Sequence, residues 1–200
     1  MVQTADALVF YRTEEDSLVD TVSSLEEGFD RDDYPEESWD MDVEDDLYML
    51  VIRRGRGPYQ GSPAFPGGHV EEGELPEEAI PRELEEETGI NSEAIVPISE
   101  EPVDLPEKIF DPRYNSESKL PEDEPVFYLE EGHEDGSSQE FDYSAMKFEY
   151  RPNLDEEPFQ LEPATDAEGA YWLKVADLPR MAFTQHRVLE YFLEKNEEIL

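Results

Sequence analysis

Residues Gly68–Ile90, GHVEEGELPEEAIPRELEEETGI, decide how this chain is read. They place Gly68, Glu74, Arg82, Glu83, Leu84, Glu86, Glu87, Gly89 and Ile90 in the pattern G-x5-E-x7-R-E-U-x-E-E-x-G-U, where U is a bulky aliphatic residue. A helix over Ile80–Thr88 puts Glu83, Glu86 and Glu87 at i, i+3 and i+4, with their carboxylates on one side. Like charges at that spacing repel by roughly 0.2–0.5 kcal/mol per pair, so the cluster favours a cation beside it. An all-oxygen donor set with no Cys and no nearby His suits a hard divalent ion, Mg2+ or Mn2+, rather than zinc or copper.

Working outward from the carboxylates, Glu85 lies roughly 200° round the helix from Glu83 and is expected in solvent. Gly67 and Gly68 permit a sharp turn in which a main-chain carbonyl approaches a cation, and Gly89 suits a left-handed helix end. Pro81 lacks an N–H and would clash with the carbonyl four residues back, at about 3 kcal/mol in a helix interior. Regular helix is therefore expected to begin only near Ala79, leaving Pro81 in the first turn. A glutamate-rich helix is by itself an ordinary solvated face, and the chain holds 54 Asp and Glu. That excess does not bring Gly68, Arg82, Leu84, Gly89 and Ile90 to their offsets in a chain with 11 glycines and 15 basic residues.

With every fixed position filled, the stretch resembles the box of the Nudix hydrolases, which cleave a nucleoside diphosphate linked to another group. The resemblance implies an α/β architecture, the Nudix fold, with a mixed β-sheet sandwiched between α-helices. It implies metal ligands at the Gly67 carbonyl, Glu83, Glu86 and Glu87, an Arg82 that orients a glutamate, and Mg2+ as cofactor with Mn2+ as the alternative.

Composition sets the bounds. Two hundred residues suffice for one domain over 1–200, and the acidic stretches at about 13–46 and 100–124 read as loop insertions. The formal charge of -39 and a pI near 4.1 resemble those of salt-adapted proteins from halophilic organisms. The acidic residues are interleaved with apolar runs such as Ala7–Tyr11 and Leu47–Ile52, which points to a folded acidic surface rather than a disordered tail. With no basic stripe to neutralise phosphates, duplex nucleic acid is a poor partner. No cysteine is present, so disulfides and thiolate chemistry are excluded. No apolar run reaches membrane-spanning length and no signal segment is evident, so no membrane partner and a cytoplasmic location are expected. His69, His133 and His186 have no mutual metal-ligand spacing, which sets zinc aside.

Along the chain, Ala5–Arg12, Leu47–Arg53, Ile95–Ile98, Val126–Leu129, Ala145–Tyr150 and Ala170–Val175 read as strands, with Val126–Leu129 and Ala145–Tyr150 as a pair. Ser17–Leu25 reads as strand or short helix. Between Thr184 and Asn196, Val188, Leu189, Phe192 and Leu193 recur at helical spacing and predict a closing helix. Strands flanking two helices suggest a mixed sheet between helices.

Two further stretches, RRGRGPYQGSPAFPGGHVEEGE at Arg53–Glu74 and DAEGAYWLKVADLPRMAFTQHRVLEY at Asp166–Tyr191, resemble the ADP-ribose pyrophosphatase branch. The second follows a pattern D-A-x-x-A-x-W, then L-P, then A-F-x-H, with His186 one residue later than the pattern's histidine. Phe110–Arg113 partly matches a loop of the same branch. The implied reaction is attack of water on ADP-ribose, giving AMP and ribose 5-phosphate. Arg53, Arg54, Arg56 and Phe65, in or next to the main basic cluster, are the candidate substrate contacts. Tyr59, Phe110 and Trp172 are further candidates to stack on a base, although such aromatics more often belong to a core. The general base is either Glu83 or an acid on a later segment: Glu140, Glu156, Glu157, Asp166 or Glu168, of which Glu168 is chosen. Three readings stay open: ADP-ribose; another nucleotide such as a nucleoside triphosphate, dinucleoside polyphosphate or NDP-sugar; and a non-catalytic nucleotide sensor, against which the intact glutamates argue. The resemblance also admits a homodimer, with the N-terminal segment as an exchange element.

Overall fold

The computed structural model describes residues 2–12, 43, 46–56, 59–98, 103–104, 141–151, 160–164, 167–179, 181–183 and 185–195. The expected elements at Ser17–Leu25 and Val126–Leu129 lie outside these residues, as do Phe110–Arg113 and most of the two acidic stretches.

Among the described residues eight strands form one sheet: β1 (Val2–Arg12), β2 (Leu47–Arg54), β3 (Pro63–Ala64), β4 (Gly67–His69), β5 (Ile95–Pro97), β6 (Val103–Asp104), β7 (Phe141–Tyr150) and β8 (Ala167–Lys174). Helix α1 covers Pro76–Thr88 and α2 covers Gln185–Lys195. The main path is β3-β2-β1-β7-β5, with β4 beside β1, β6 beside β7 and β8 beside β2. Among the described strands only β1 and β7 run parallel, from Val2 opposite Phe141 to Phe10 opposite Glu149, so the sheet is mixed as expected. That pairing was not legible in the sequence, because parallel partners carry no hairpin signal. Strand β7 also begins earlier than expected, taking in Phe141–Ser144.

Strand alternation divides the apolar side chains between two layers. Ala5, Ala7, Val9, Tyr11, Tyr48, Leu50, Met146, Phe148 and Trp172 pack with Ile80 and Leu84 of α1. Leu8, Phe10, Leu47, Met49, Val51 and Leu173 pack with Val188, Leu189, Phe192 and Leu193 of α2. The sheet is thus sandwiched between two helices. Each fully buried Leu, Val or Phe in these layers contributes roughly 1.5–3 kcal/mol. Among the described residues no helix is long and apolar enough to cross a membrane.

Candidate active site

The two central strands part company along their length, and that gap makes the site. Strands β1 and β2 pair only at Phe10–Arg12 with Leu47–Met49. Beyond that point β2 pairs with β3 through Ile52 and Arg53, while β1 pairs with β4 through Thr4–Asp6. The short turn Phe65-Pro66-Gly67 links β3 to β4 and sits in the fork. Its main chain is tied on every side: the Ala7 N–H donates to the Pro66 carbonyl at 2.8 Å, the Phe65 N–H to Gln185 Oε1 at 2.9 Å, and the Gly67 N–H to Glu87 Oε2 at 2.9 Å.

Helix α1 follows β4 and the loop at residues 70–75. Pro76 occupies the first helical turn, where a missing N–H costs nothing, and Glu78 accepts the Leu75 N–H at 3.0 Å. The helix begins at Pro76 and runs through Pro81, which corrects the expected start near Ala79. The first turn closes ahead of the proline through Ala79 N–H to the Leu75 carbonyl at 3.0 Å. The carbonyl that Pro81 leaves without its usual helical partner belongs to Glu77, an exposed residue that water can serve. Gly89 ends the helix at φ 76°, its N–H donating to the Glu85 carbonyl at 2.9 Å, and Glu85 is exposed as expected.

Arg82 organises the carboxylates. Its guanidinium grips Glu74 with two bonds, Nε to Oε1 at 2.8 Å and Nη2 to Oε2 at 2.9 Å, and reaches Glu83 Oε1 from Nη1 at 2.9 Å. It also donates to the His69 carbonyl at 3.2 Å and lies 3.7 Å from Glu86. Arginine alone offers this planar fork of donors. The bonds hold the Glu74 carboxyl down at about 2 and raise the guanidinium above its ordinary value. Burial pushes the Glu83 carboxyl above the usual carboxylate range, against the pull of Arg82.

Glu83, Glu86 and Glu87 do share a side of α1, but at different depths: Glu87 is buried, Glu83 half-buried and Glu86 exposed. Among the described residues no three acidic or histidine side chains converge as a ready-made metal cage. Glu87 is turned to the Gly67 N–H and Glu83 to Arg82. The donor set nevertheless fits a hard divalent ion. A Cβ on Gly68 would stand 2.6 Å from Glu83 Oε1, so carboxylate oxygen and glycine main chain already share a cradle that only glycine leaves open.

A buried acid that the sequence did not flag lies directly behind this cradle. Asp6 Oδ2 accepts the Tyr143 hydroxyl at 2.7 Å and the Gln185 amide Nε2 at 2.6 Å. Burial raises the Asp6 carboxyl to about 7, opposed by those two hydrogen bonds and by Arg54 and reinforced by Glu83. Gln185 stands where A-F-x-H places its histidine, counted from Ala182 and Phe183. It supplies one acceptor and one donor, as a neutral imidazole does. His186 is buried at the next position.

The remaining candidates are spread around the fork. Phe65, expected to touch substrate, is 2% exposed in the core, which corrects that expectation. Trp172 is fully buried against Tyr11 and Tyr150 and is likewise core. Arg53 and Arg54 are half-buried at the end of β2, and Arg56 is exposed. The Arg54 guanidinium lies 4.6 Å from the ring centre of Phe183, which in turn meets Tyr59 at 5.1 Å. Tyr59 and Phe183 both have positive φ, 59° and 57°, a costly conformation for aromatic residues. Glu168 is exposed at an irregularity in the β2–β8 pairing, where Arg53 faces Gly169 and Arg54 faces Ala167. Such a bulge re-aims the extra residue's side chain. Glu140, Glu156, Glu157 and Asp166 lie outside the described residues.

Comparison with known proteins bears on the family and the fold. An ADP-ribose pyrophosphatase of Methanocaldococcus jannaschii is 50% identical over 48 residues, 24% of this chain and 28% of that protein. The match therefore spans little more than a quarter of the relative. A Nudix hydrolase of M. Smegmatis, RenU, is 14% identical with a TM-score of 0.52, over 96% of this chain and 84% of its own. A C. elegans Ap4A hydrolase is 13% identical with a TM-score of 0.50, over 97% and 99%. At such identities the solved structures speak for the fold. The NUDIX domain family model matches residues 40–192, a span that holds β2, the Phe65-Pro66-Gly67 turn, α1 and most of α2, and the chain belongs to that family.

Proposed function

We propose that the chain is a divalent-metal-dependent pyrophosphohydrolase acting on a nucleoside diphosphate derivative, with ADP-ribose as substrate and AMP and ribose 5-phosphate as products. The observation that carries this reading is the grouping of Glu83, Glu86 and Glu87 with Gly67 and Gly68, under the control of Arg82. The Gly67 carbonyl, Glu83, Glu86 and Glu87 would hold Mg2+, or Mn2+ in its place. When bound, the ion supplies neutralisation of pyrophosphate charge and a lowered pKa for coordinated water.

The chain's own groups do the rest. Arg82 fixes the Glu83 carboxylate so that it does not reorganise as charge develops. Arg54, with Arg53 beside it on the strand end and Arg56 just beyond, receives phosphate oxygens, and the exposed Tyr59 beside Phe183 offers a ring face to a base. Glu168 takes a proton from the attacking water; its position at the bulge opposite Arg53 and Arg54 supports this role. Water adds one oxygen to one phosphorus, the bridging P–O bond breaks, and the departing phosphate keeps the bridging oxygen. The choice of ADP-ribose is supported by the local match to the archaeal ADP-ribose pyrophosphatase.

A nucleotide panel tests the substrate. ADP-ribose should be turned over ahead of nucleoside triphosphates, dinucleoside polyphosphates and other NDP-sugars; a different leader would retain the chemistry and discard the substrate. The base is tested separately: Glu168→Gln should lose most turnover, and loss in Glu140→Gln or Glu157→Gln with Glu168→Gln near normal would move the role.

A further inference from the structure

We infer that Gln185 is a positioning residue for metal binding: it fastens the Phe65-Pro66-Gly67 turn to the buried Asp6, and so sets where the Gly67 main chain stands relative to Glu87. This rests on the proposed role of Gly67 and the box glutamates. The amide of Gln185 makes two bonds with opposite polarity, accepting the Phe65 N–H at 2.9 Å through Oε1 and donating to Asp6 Oδ2 at 2.6 Å through Nε2. Both are buried, and they span 120 and 179 residues of sequence. Asp6 in turn backs directly onto Gly67, where an added Cβ would meet Asp6 Oδ1 and the Ala5 carbonyl. The turn is thereby pinned from α2 at Phe65, from β1 at Pro66 and from α1 at Gly67.

Without the amide, Phe65 keeps its place in the core but loses its main-chain anchor, and the buried Asp6 carboxylate loses one of its two side-chain donors. The Pro66–Gly67 peptide then keeps its bonds to Ala7 and Glu87, and Gly67 its pairing with β1. Glu87 is itself a proposed ligand, so its hold on the Gly67 N–H is part of the site that binds the ion. The contact from α2 is a main-chain anchor at Phe65 that involves no proposed ligand. A hydrogen-bonded support behind a ligand typically contributes about 10–100-fold to metal affinity.

The test is Mn2+ binding to the full chain, followed by electron paramagnetic resonance of free Mn2+ and needing no substrate. Gln185→Leu should weaken binding by about ten-fold or more. Gln185→Met, closer in shape to glutamine, takes its place if the leucine variant does not fold. Gln185→His, which keeps one donor and one acceptor, should restore binding toward the wild-type value. Tyr143→Phe removes another hydrogen bond from the same Asp6 oxygen without touching Phe65; it should lower the Tm and leave Mn2+ affinity unchanged. In turnover, Gln185→Leu should raise the Mn2+ concentration for half-maximal rate more than it lowers kcat at saturating Mn2+. Wild-type Mn2+ affinity in the leucine or methionine variant, or an equal loss in Tyr143→Phe, would overturn the inference while leaving the proposed function intact. Failure of the wild-type chain to bind Mn2+ would overturn both.

Discussion

Glu87 Oε2 accepts the main-chain N–H of Gly67 at 2.9 Å, so the last carboxylate of the box helix touches the glycine that begins strand β4. Twenty residues of sequence close into a loop at that bond. It places carboxylate oxygen and main chain together before any ion arrives, and it makes the two neighbouring glycines sensitive in different ways.

Gly67→Ala should harm folding first. Its Cβ would lie 2.5 Å from the Ala5 carbonyl and 2.7 Å from Asp6 Cα, and neither main-chain atom can move without parting β1 from β4. A loss of roughly 1–3 kcal/mol or more in denaturant unfolding is expected, as for other overpacked sites. Gly68→Ala meets instead the flexible end of Glu83, at 2.6 Å. It should fold nearly normally and lose activity, because the Glu83 carboxylate has to leave its place beside Arg82. Equal effects of both substitutions on stability would contradict this distinction.

Arg82→Lys should cost about ten-fold or more in turnover, since an ammonium cannot replace the two-bond grip on Glu74 together with the bond to Glu83. The same pair predicts an acid limb. Glu74 is held at about 2, below its ordinary 4.5, so its stabilisation is complete above pH 4.5 and is lost as pH falls toward 2. Unfolding curves of wild type and Glu74→Gln should therefore converge over that interval. Curves that stay parallel from pH 5 to the acid limit would exclude the effect.

Asp6 titrates with the opposite sign. Its carboxyl is raised from 3.8 to about 7, so the folded, metal-free protein holds a proton that the unfolded chain releases. Stability conferred through this group is greatest at low pH and declines as pH rises from about 4 to 7. In EDTA, Asp6→Asn should flatten that decline relative to wild type. A decline in the variant as steep as in wild type would show that the buried carboxyl is charged throughout.

The charge of -39 predicts salt dependence. Molar KCl shrinks the Debye length to about 3 Å and removes most of the mutual repulsion of surface carboxylates. The Tm should rise from dilute buffer to molar KCl, and a Tm indifferent to salt would remove the case for salt adaptation.

The box was legible in the sequence because its spacing alone fixes which side chains share a face of α1 and which glycines bracket it. The layers were legible too, since alternation in β1 and β2 sorts Leu8 from Val9 and Met49 from Leu50. Asp6 was not. It sits inside a strand that reads as apolar, and its partners come from Tyr143 and Gln185, 137 and 179 residues away. Phe65 was misassigned to the substrate because burial of one aromatic beside a glycine turn depends on the closing helix at the far end of the chain. Pro81 was placed too early in its helix because the first turn can be closed by Leu75, Glu78 and Ala79 without the N–H that proline lacks.

The central claim is that the box glutamates support hydrolysis of a nucleotide pyrophosphate. It is tested most directly by AMP release from ADP-ribose in molar KCl, with Mg2+ and then Mn2+, for wild type beside Glu87→Gln. The glutamine keeps an oxygen to accept the Gly67 N–H and removes the charge, so the fold should persist. Metal-dependent AMP release by wild type, reduced at least about 100-fold in Glu87→Gln, is the expected result. Tight binding of ADP-ribose without turnover, or turnover that Glu87→Gln leaves intact, would contradict the account.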